Sequence, residues 1–390
     1  MALMAAVGIG EGLEGRAAGA QAARYALDQL GGIPVQFGFV LSSHAYEIQS
    51  VLSGVSSLLG NTPLMGMSTS GFLASASSAS RAVQVLLLAG QDLKARADWW
   101  PGFSDSGLAS ARKVISELDL VQSPADCLIL AGDGLRGNAA ELAAALGPGR
   151  YPLVGLLASG DVQRDSTAQL GGSSAGNGGL AAAWLSGDIH LGIGHAHGWQ
   201  VVGPNFKLTH VRECDLRTLD DRPASEVYAG LLGNEAAAWK RPPLNYLVRL
   251  YPLGLEPVDG KDLDLLAPLR VLPDGSLRLN TVIAEGRLGY LMTGSPAAFL
   301  EAARQAARQA LDKLGDSFPR AALVFADQAW AYQFEGYPGA LSAALEDELG
   351  ANLPVTGGYT LGQLLRPMAG ATPELRQGEI LVVVLGEEID

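Results

Sequence analysis

Small hydroxyl residues gather at three places in this chain, each a few residues after a Pro-x-x-Gly step. Ser68, Thr69 and Ser70 follow Pro63-Leu64-Met65-Gly66; Ser159 follows Pro152-Leu153-Val154-Gly155; Thr360 follows Pro354-Val355-Thr356-Gly357. A glycine lets a guest or a second backbone approach where a Cβ would block it, so hydroxyls beside it suit the orientation of a small ligand. The commoner use of such glycines is packing. Thr356 within the third step and Tyr359 just after it join the candidate set. Asp133, Asp161 and Asp327 fall at or just after expected strand ends, where a carboxylate either meets a ligand amine or caps its own turn. The candidate ligand-binding residues are therefore Ser68, Thr69, Ser70, Ser159, Asp161, Asp327, Thr356, Tyr359 and Thr360, with no catalytic residue and no metal ligand assigned.

Other chemistry is weaker. Gly10-Glu11-Gly12-Leu13-Glu14-Gly15 matches G-x-G-x-x-G between a strand and a helix, yet Glu11 and Glu14 would repel a pyrophosphate and the acidic residue expected after the next strand is missing. A tight strand-to-helix turn explains the same glycines. His195 and His197 share one strand face, but nothing nearby completes a zinc ligand set. Ser68 or Ser159 as nucleophile with Asp133 as general base defines an alternative, a small-molecule hydrolase or transferase, for which no G-x-S-x-G elbow is present. Haem, with His44 and His210 as ligands by elimination, is a third reading; otherwise no cofactor is expected.

The elements that must position these residues repeat three times. Each copy reads apolar strand, Ala/Leu-rich helix, Pro-x-x-Gly, small-residue loop, apolar strand: Val35 to Ala89, Cys127 to Leu185, and Ala321 to Leu385. Proline closes the helix and launches an extended segment, because it lacks an N–H and biases the preceding residue away from helical angles. The expected fold is α/β, with mixed β-sheets flanked by helices, built from three similar strand-helix-strand-strand units in two domains, 1–218 and 219–390. Further helices are expected over Arg16 to Leu30, Gly107 to Leu118, Ala224 to Leu232 and Ala297 to Leu314, the last capped by Ser295. Leu244 to Leu250 reads as a strand, and Ser276 to Ile283 with Arg287 to Met292 as a hairpin about Ala284-Glu285-Gly286.

At 390 residues, with 48% hydrophobic composition, the chain has ample apolar material for about two cores. Its net charge of −13 and lack of basic runs argue against nucleic acid as a partner. Two cysteines, Cys127 and Cys214, read as buried free thiols of a reducing compartment. No apolar run is long enough to span a bilayer, and Met1 to Val7 reads as a first strand rather than a signal peptide, so a cytoplasmic, membrane-free protein is expected.

Several segments resemble the FIST proteins: Ala6-Val7-Gly8-Ile9-Gly10, Thr62 to Gly71, Gly198 to Thr209, Leu219 to Ala224, and Gly357-Gly358-Tyr359-Thr360-Leu361-Gly362-Gln363. Their order, touching both halves, makes the resemblance fairly specific. It implies a FIST N-terminal-like domain over 1–218 and a FIST C-like domain over 219–390, in a sensory module of bacterial signal transduction that binds small ligands such as amino acids. Without a kinase, cyclase or receptor segment, the chain would be a stand-alone sensor whose output passes to a downstream signalling protein. It departs from the family pattern at Gly198-Trp199, Gly362-Gln363 and Ala326-Asp327-Gln328-Ala329, which loosens the carry-over of any ligand held by a thiol or carboxylate.

Overall fold

The computed structural model describes residues 3–73, 81–120, 126–162, 165–233, 235–257 and 263–388. Three units share one plan, a strand and helix followed by a parallel strand-helix-strand and a returning antiparallel strand. The first comprises β1 (Met4–Glu11), α1 (Gly15–Leu30), β2 (Val35–Ser43), α2 (Ile48–Leu59), β3 (Leu64–Thr69) and β4 (Ala82–Ala89). The second comprises β5 (Lys94–Pro101), α3 (Gly107–Leu120), β6 (Cys127–Asp133), α4 (Ala139–Leu146), β7 (Leu153–Ala158), an excursion β8 (Ala168–Gly171) and β9 (Ser174–Asn177), and β10 (Gly179–Ser186). The third opens with β11 (His190–Ala196) and is then interrupted by an inserted region. That insert holds β12 (Trp199–Arg212), β13 (Asp215–Leu219), β14 (Arg222–Pro223), α5 (Ala224–Leu232), α6 (Ala236–Trp239), α7 (Leu244–Leu247), β15 (Leu253–Leu255), β16 (Asp264–Leu266), β17 (Arg270–Val271), β18 (Leu277–Arg278) and β19 (Leu288–Gly294). The third unit resumes with α8 (Pro296–Leu314), β20 (Phe318–Asp327), α9 (Ala329–Gln333), α10 (Ala340–Leu349), β21 (Val355–Arg366), β22 (Glu374–Arg376) and β23 (Ile380–Glu387).

Strand order makes the equivalence explicit: β1-β4-β2-β3, β5-β10-β6-β7 and β11-β23-β20-β21. The three Pro-x-x-Gly glycines occupy matching places. Gly66 pairs in parallel with Val40, Gly155 with Leu130 and Gly357 with Val324. A Cβ on Gly66 would lie 2.0 Å from the Val40 carbonyl oxygen, and one on Gly357 2.0 Å from that of Val324. Close packing therefore requires these two glycines, as their commoner use implies.

The second and third units join edge to edge through β7 and β21, and the first sheet stacks upon them. Between the layers Phe37, Phe39, Leu41, Met65 and Met67 meet Ile129, Val154, Leu323, Phe325 and Val383. Phe39 and Phe325 touch edge to face at 5.9 Å. Helices cover the outer faces: α1 and α2 on the first sheet, α3 and α4 on the second unit, α8 and α10 on the third. Strands covered on both faces need apolar side chains both ways, which is why β6 and β23 are apolar up to their last residues and β4 is interrupted only by Gln84.

Two expectations fail inside the insert. Leu244 to Leu250 is helical, α7 followed by a short 3-10 turn, because Pro242-Pro243 starts a turn that continues as helix. Ser276 to Ile283 and Arg287 to Met292 do not pair as a hairpin; β18 pairs with β13 and β17, while β19 lies between β12 and β15. Cys214 is half-exposed in the turn after β12 rather than buried in a strand, whereas Cys127 is buried in β6; both are free. Ser295 caps α8 as expected, accepting from the Ala298 N–H at 3.3 Å.

Candidate functional site

The three loops meet. Register makes Ser70 and Ser159 the equivalent residues, each one position past Thr69 and Ala158, which pair with Ser43 and Asp133. The Ser159 hydroxyl receives the Ser70 N–H at 2.9 Å, stands 3.2 Å from the Ser70 hydroxyl, and donates to the Tyr359 carbonyl at 2.6 Å. Thr69 Oγ1 lies 2.7 Å from the Gly71 carbonyl and 3.0 Å from the Tyr359 N–H. Ser68 Oγ donates to the Ser159 carbonyl at 2.8 Å and accepts from the Ala168 N–H at 2.9 Å. Five of the nine candidates thus form one knot, in which Ser68, Thr69 and Ser159 are buried and Ser70 and Tyr359 half-buried. These loops lack regular partners for their backbone groups, and the small hydroxyls supply them.

The remaining candidates lie around the knot or away from it. Thr360 is buried beside it, with Oγ1 accepting from Gln363 Nε2 at 2.8 Å. Thr356 points toward the first sheet and donates to Gln84 Oε1 at 2.9 Å. Asp161 pairs through its backbone with Ser166 in the loop after β7. Asp327 is fully buried at the end of β20, where Arg249 of the insert grips it in a fork at 2.9 and 2.6 Å, and the Ala329 and Gly378 N–H groups donate to it. Asp133, its equivalent in the second unit, accepts from the Leu135 and Arg136 N–H groups and from the Arg136 guanidinium. Both carboxylates serve as turn caps. Burial pushes the Tyr359 phenol up to about 12, keeping it neutral at physiological pH.

A cleft of about 460 Å³ opens against Ser68, outside the carboxyl ends of β2 and β3. Its walls include His44, Tyr46, Glu47, Thr167 and Asn177. Tyr46 donates its hydroxyl to the Gly12 carbonyl at 2.6 Å; burial raises its pKa, with Arg81 opposing and Glu11 adding. Glu47 accepts from the Gln49 and Ser50 N–H groups and so caps α2. His44 Nδ1 lies 3.3 Å from the Thr69 carbonyl oxygen, which can only accept, so the ring donates from that nitrogen. Crevices at the carboxyl ends of parallel strands are where open α/β sheets hold ligands, and the volume is of metabolite scale. Sequence reasoning reached Ser68 and named His44 only for haem; Tyr46, Thr167 and Asn177 carried no local signal.

The other motifs resolve into structure. Gly10 lets α1 lie against β1, since a Cβ there would stand 2.0 Å from the Ala18 carbonyl oxygen. His195 pairs with Glu379 at 2.8 Å. Ser317 meets His190 at 2.7 Å, but the Asp188 carboxylate stands 3.9 Å from the ring, beyond hydrogen-bond reach, and the His190 and Asp188 side chains are 40% and 48% exposed. Among the described residues no group of three or more His, Cys, Asp or Glu side chains is arranged to hold a metal, and no helix is long and apolar enough to cross a membrane.

Three strand-helix-strand-strand units meeting at a knot of hydroxyls, with clefts at the carboxyl ends of the parallel strands in the first and second units, define a two-layered α/β module. Family models match over most of the chain, the FIST N domain at residues 36–222 and the FIST C domain at 224–366, and the chain belongs to the FIST family. FIST domains are sensory modules of signal transduction, proposed to bind small ligands. No curated protein matches it. Among solved structures, a chorismatase aligns over 99% of each chain at 9% identity with a TM-score of 0.38. A cyanuic acid hydrolase from A. caulinodans aligns over 100% of each at 10% identity and 0.36. T. maritima PurL complexed with FGAR aligns over 99% of this chain and 73% of its own, at 11% identity and 0.26. Similarity this remote carries no chemistry.

Proposed function

We propose that the chain is a cytoplasmic sensor that binds a small metabolite of amino-acid scale in the cleft beside Ser68, and passes the signal to a downstream protein of bacterial signal transduction. The observation that carries this reading is the cleft's position: a polar crevice of about 460 Å³ whose wall includes one hydroxyl of the knot. A ligand seated there changes the surroundings of Ser68, and through it the Ser159 loop of the second unit. The Glu47 carboxylate and the Ser166, Thr167 and Asn177 side chains favour a guest that brings hydrogen-bond donors, such as an ammonium group.

The test is thermal unfolding against a panel of amino acids and related metabolites. A ligand that binds only the native state at about a hundredfold excess over its Kd stabilises by about 2.7 kcal/mol. His44→Ala and Asn177→Ala should abolish the shift while leaving the stability of the unliganded protein within about 0.5 kcal/mol of wild type. A shift that survives both substitutions places the ligand elsewhere, and a haem-specific shift replaces the metabolite reading.

A further inference from the structure

The cleft beside Ser68 has counterparts, since each unit carries a crevice where its parallel strands end. In the third unit the place is taken: Arg249 reaches in from the insert and closes on Asp327. In the second unit the insert comes near but stops short. A cleft of about 210 Å³ remains outside β6 and β7, walled by Arg136, Asp165 and Cys214 with Arg270 and Arg278 of the insert.

Three guanidiniums converge there, and each is pinned by a carboxylate. Arg136 lies 3.1 Å from Asp133, Arg270 grips Asp165 in a fork at 2.9 and 3.1 Å, and Arg278 lies 2.8 Å from Asp215. Asp165 is thereby engaged by Arg270, while Arg136 meets Asp133 through Nε and Nη2 and Arg278 meets Asp215 through Nε and Nη2. The site therefore presents positioned N–H donors from which an oxyanion can accept. Arginines already held in place lose little freedom on binding, and their forks match the paired oxygens of an oxyanion.

We infer that this crevice is a second binding site, for the carboxylate or phosphate end of a small anionic metabolite, and that its occupant ties the inserted sheet to the second unit. Arg136 supplies one side of the grip and Arg270 and Arg278 the other. The site is separate from the cleft beside Ser68 and does not depend on that cleft's ligand.

Calorimetric titration of the full chain with inorganic phosphate, and separately with malonate, at constant ionic strength balanced by chloride, tests this and distinguishes the two sources of the oxyanion. Saturable binding of at least one probe is expected, weakened about tenfold or more by Arg136→Gln and by Arg278→Gln. Arg96→Gln, which removes a guanidinium paired with Asp98 and Glu117 outside the crevice, should leave binding unchanged. Should Arg278→Gln fail to fold by circular dichroism, Arg136→Gln decides alone, its side chain being 43% exposed. No saturable heat with either probe, or crevice variants that titrate like wild type, overturns the inference.

Discussion

Ser159 is the residue on which the three loops depend. Its hydroxyl serves the first loop through Ser70 and the third through the Tyr359 carbonyl, and it has no solvent exposure. Ser159→Ala should lower the stability of the unliganded protein by about 1–3 kcal/mol, read from chemical denaturation, since a buried N–H and carbonyl lose their partner. Asp327→Ala should cost more, about 3–5 kcal/mol, because it strands the Arg249 guanidinium in the interior; changing both residues to apolar ones should recover much of the loss. The thiols supply a third test. Burial raises the pKa of both, Cys127 up to about 12 from an ordinary 9.0, so Cys127 should resist alkylation until the protein unfolds, and half-exposed Cys214 should react first. The folded pKa of Cys127 lies above the unfolded one, so its contribution to stability is present below about 9 and is lost as pH rises toward about 12. Tyr359, raised to about 12 from 10.0, adds loss of the same sign near the top of that window.

At the scale of elements, the parallel pairs were legible because proline and glycine act locally. Pro63 and Pro354 end a helical stretch within their own neighbourhood, and Gly66 and Gly357 answer a steric demand at the adjoining strand. Gly66→Ala should therefore destabilise by about 1–3 kcal/mol, measured by thermal melting, since the added methyl must displace the Val40 carbonyl. What resisted reading were elements decided by distant partners. Leu244 to Leu250 is apolar enough for a strand, yet the preceding prolines and the buried partner of Arg249 make it helical. An arginine inside so apolar a run is itself a sign of a buried ion pair. The strand-and-helix prefixes of the units, β1–α1, β5–α3 and β11–α8, carry no Pro-x-x-Gly step, and the third is split by the insert. Arg136 and Arg278 lie far apart in the chain, so only folding reveals their shared crevice.

For the whole molecule, the insert departs from and returns to one spot, since Trp199 pairs with Gly294. Replacing 199–294 by a short linker strips Arg249 from Asp327 and uncovers Met292 and Trp199 positions in the core beside α8. That deletion should unfold unless Asp327→Ser is added, because the first unit places Ser43 at the equivalent position without any such arginine. Circular dichroism of the two deletion variants checks this. The three units then stand as one scaffold with three crevices, one polar, one lined with arginine and one closed by the chain's own side chain. Whether the crevice beside Ser68 holds a metabolite is read by native mass spectrometry of freshly purified protein. A small adduct should appear on the wild-type chain and be lost from His44→Ala and Asn177→Ala; an adduct of haem mass, or one that both variants keep at the same occupancy, would contradict the account.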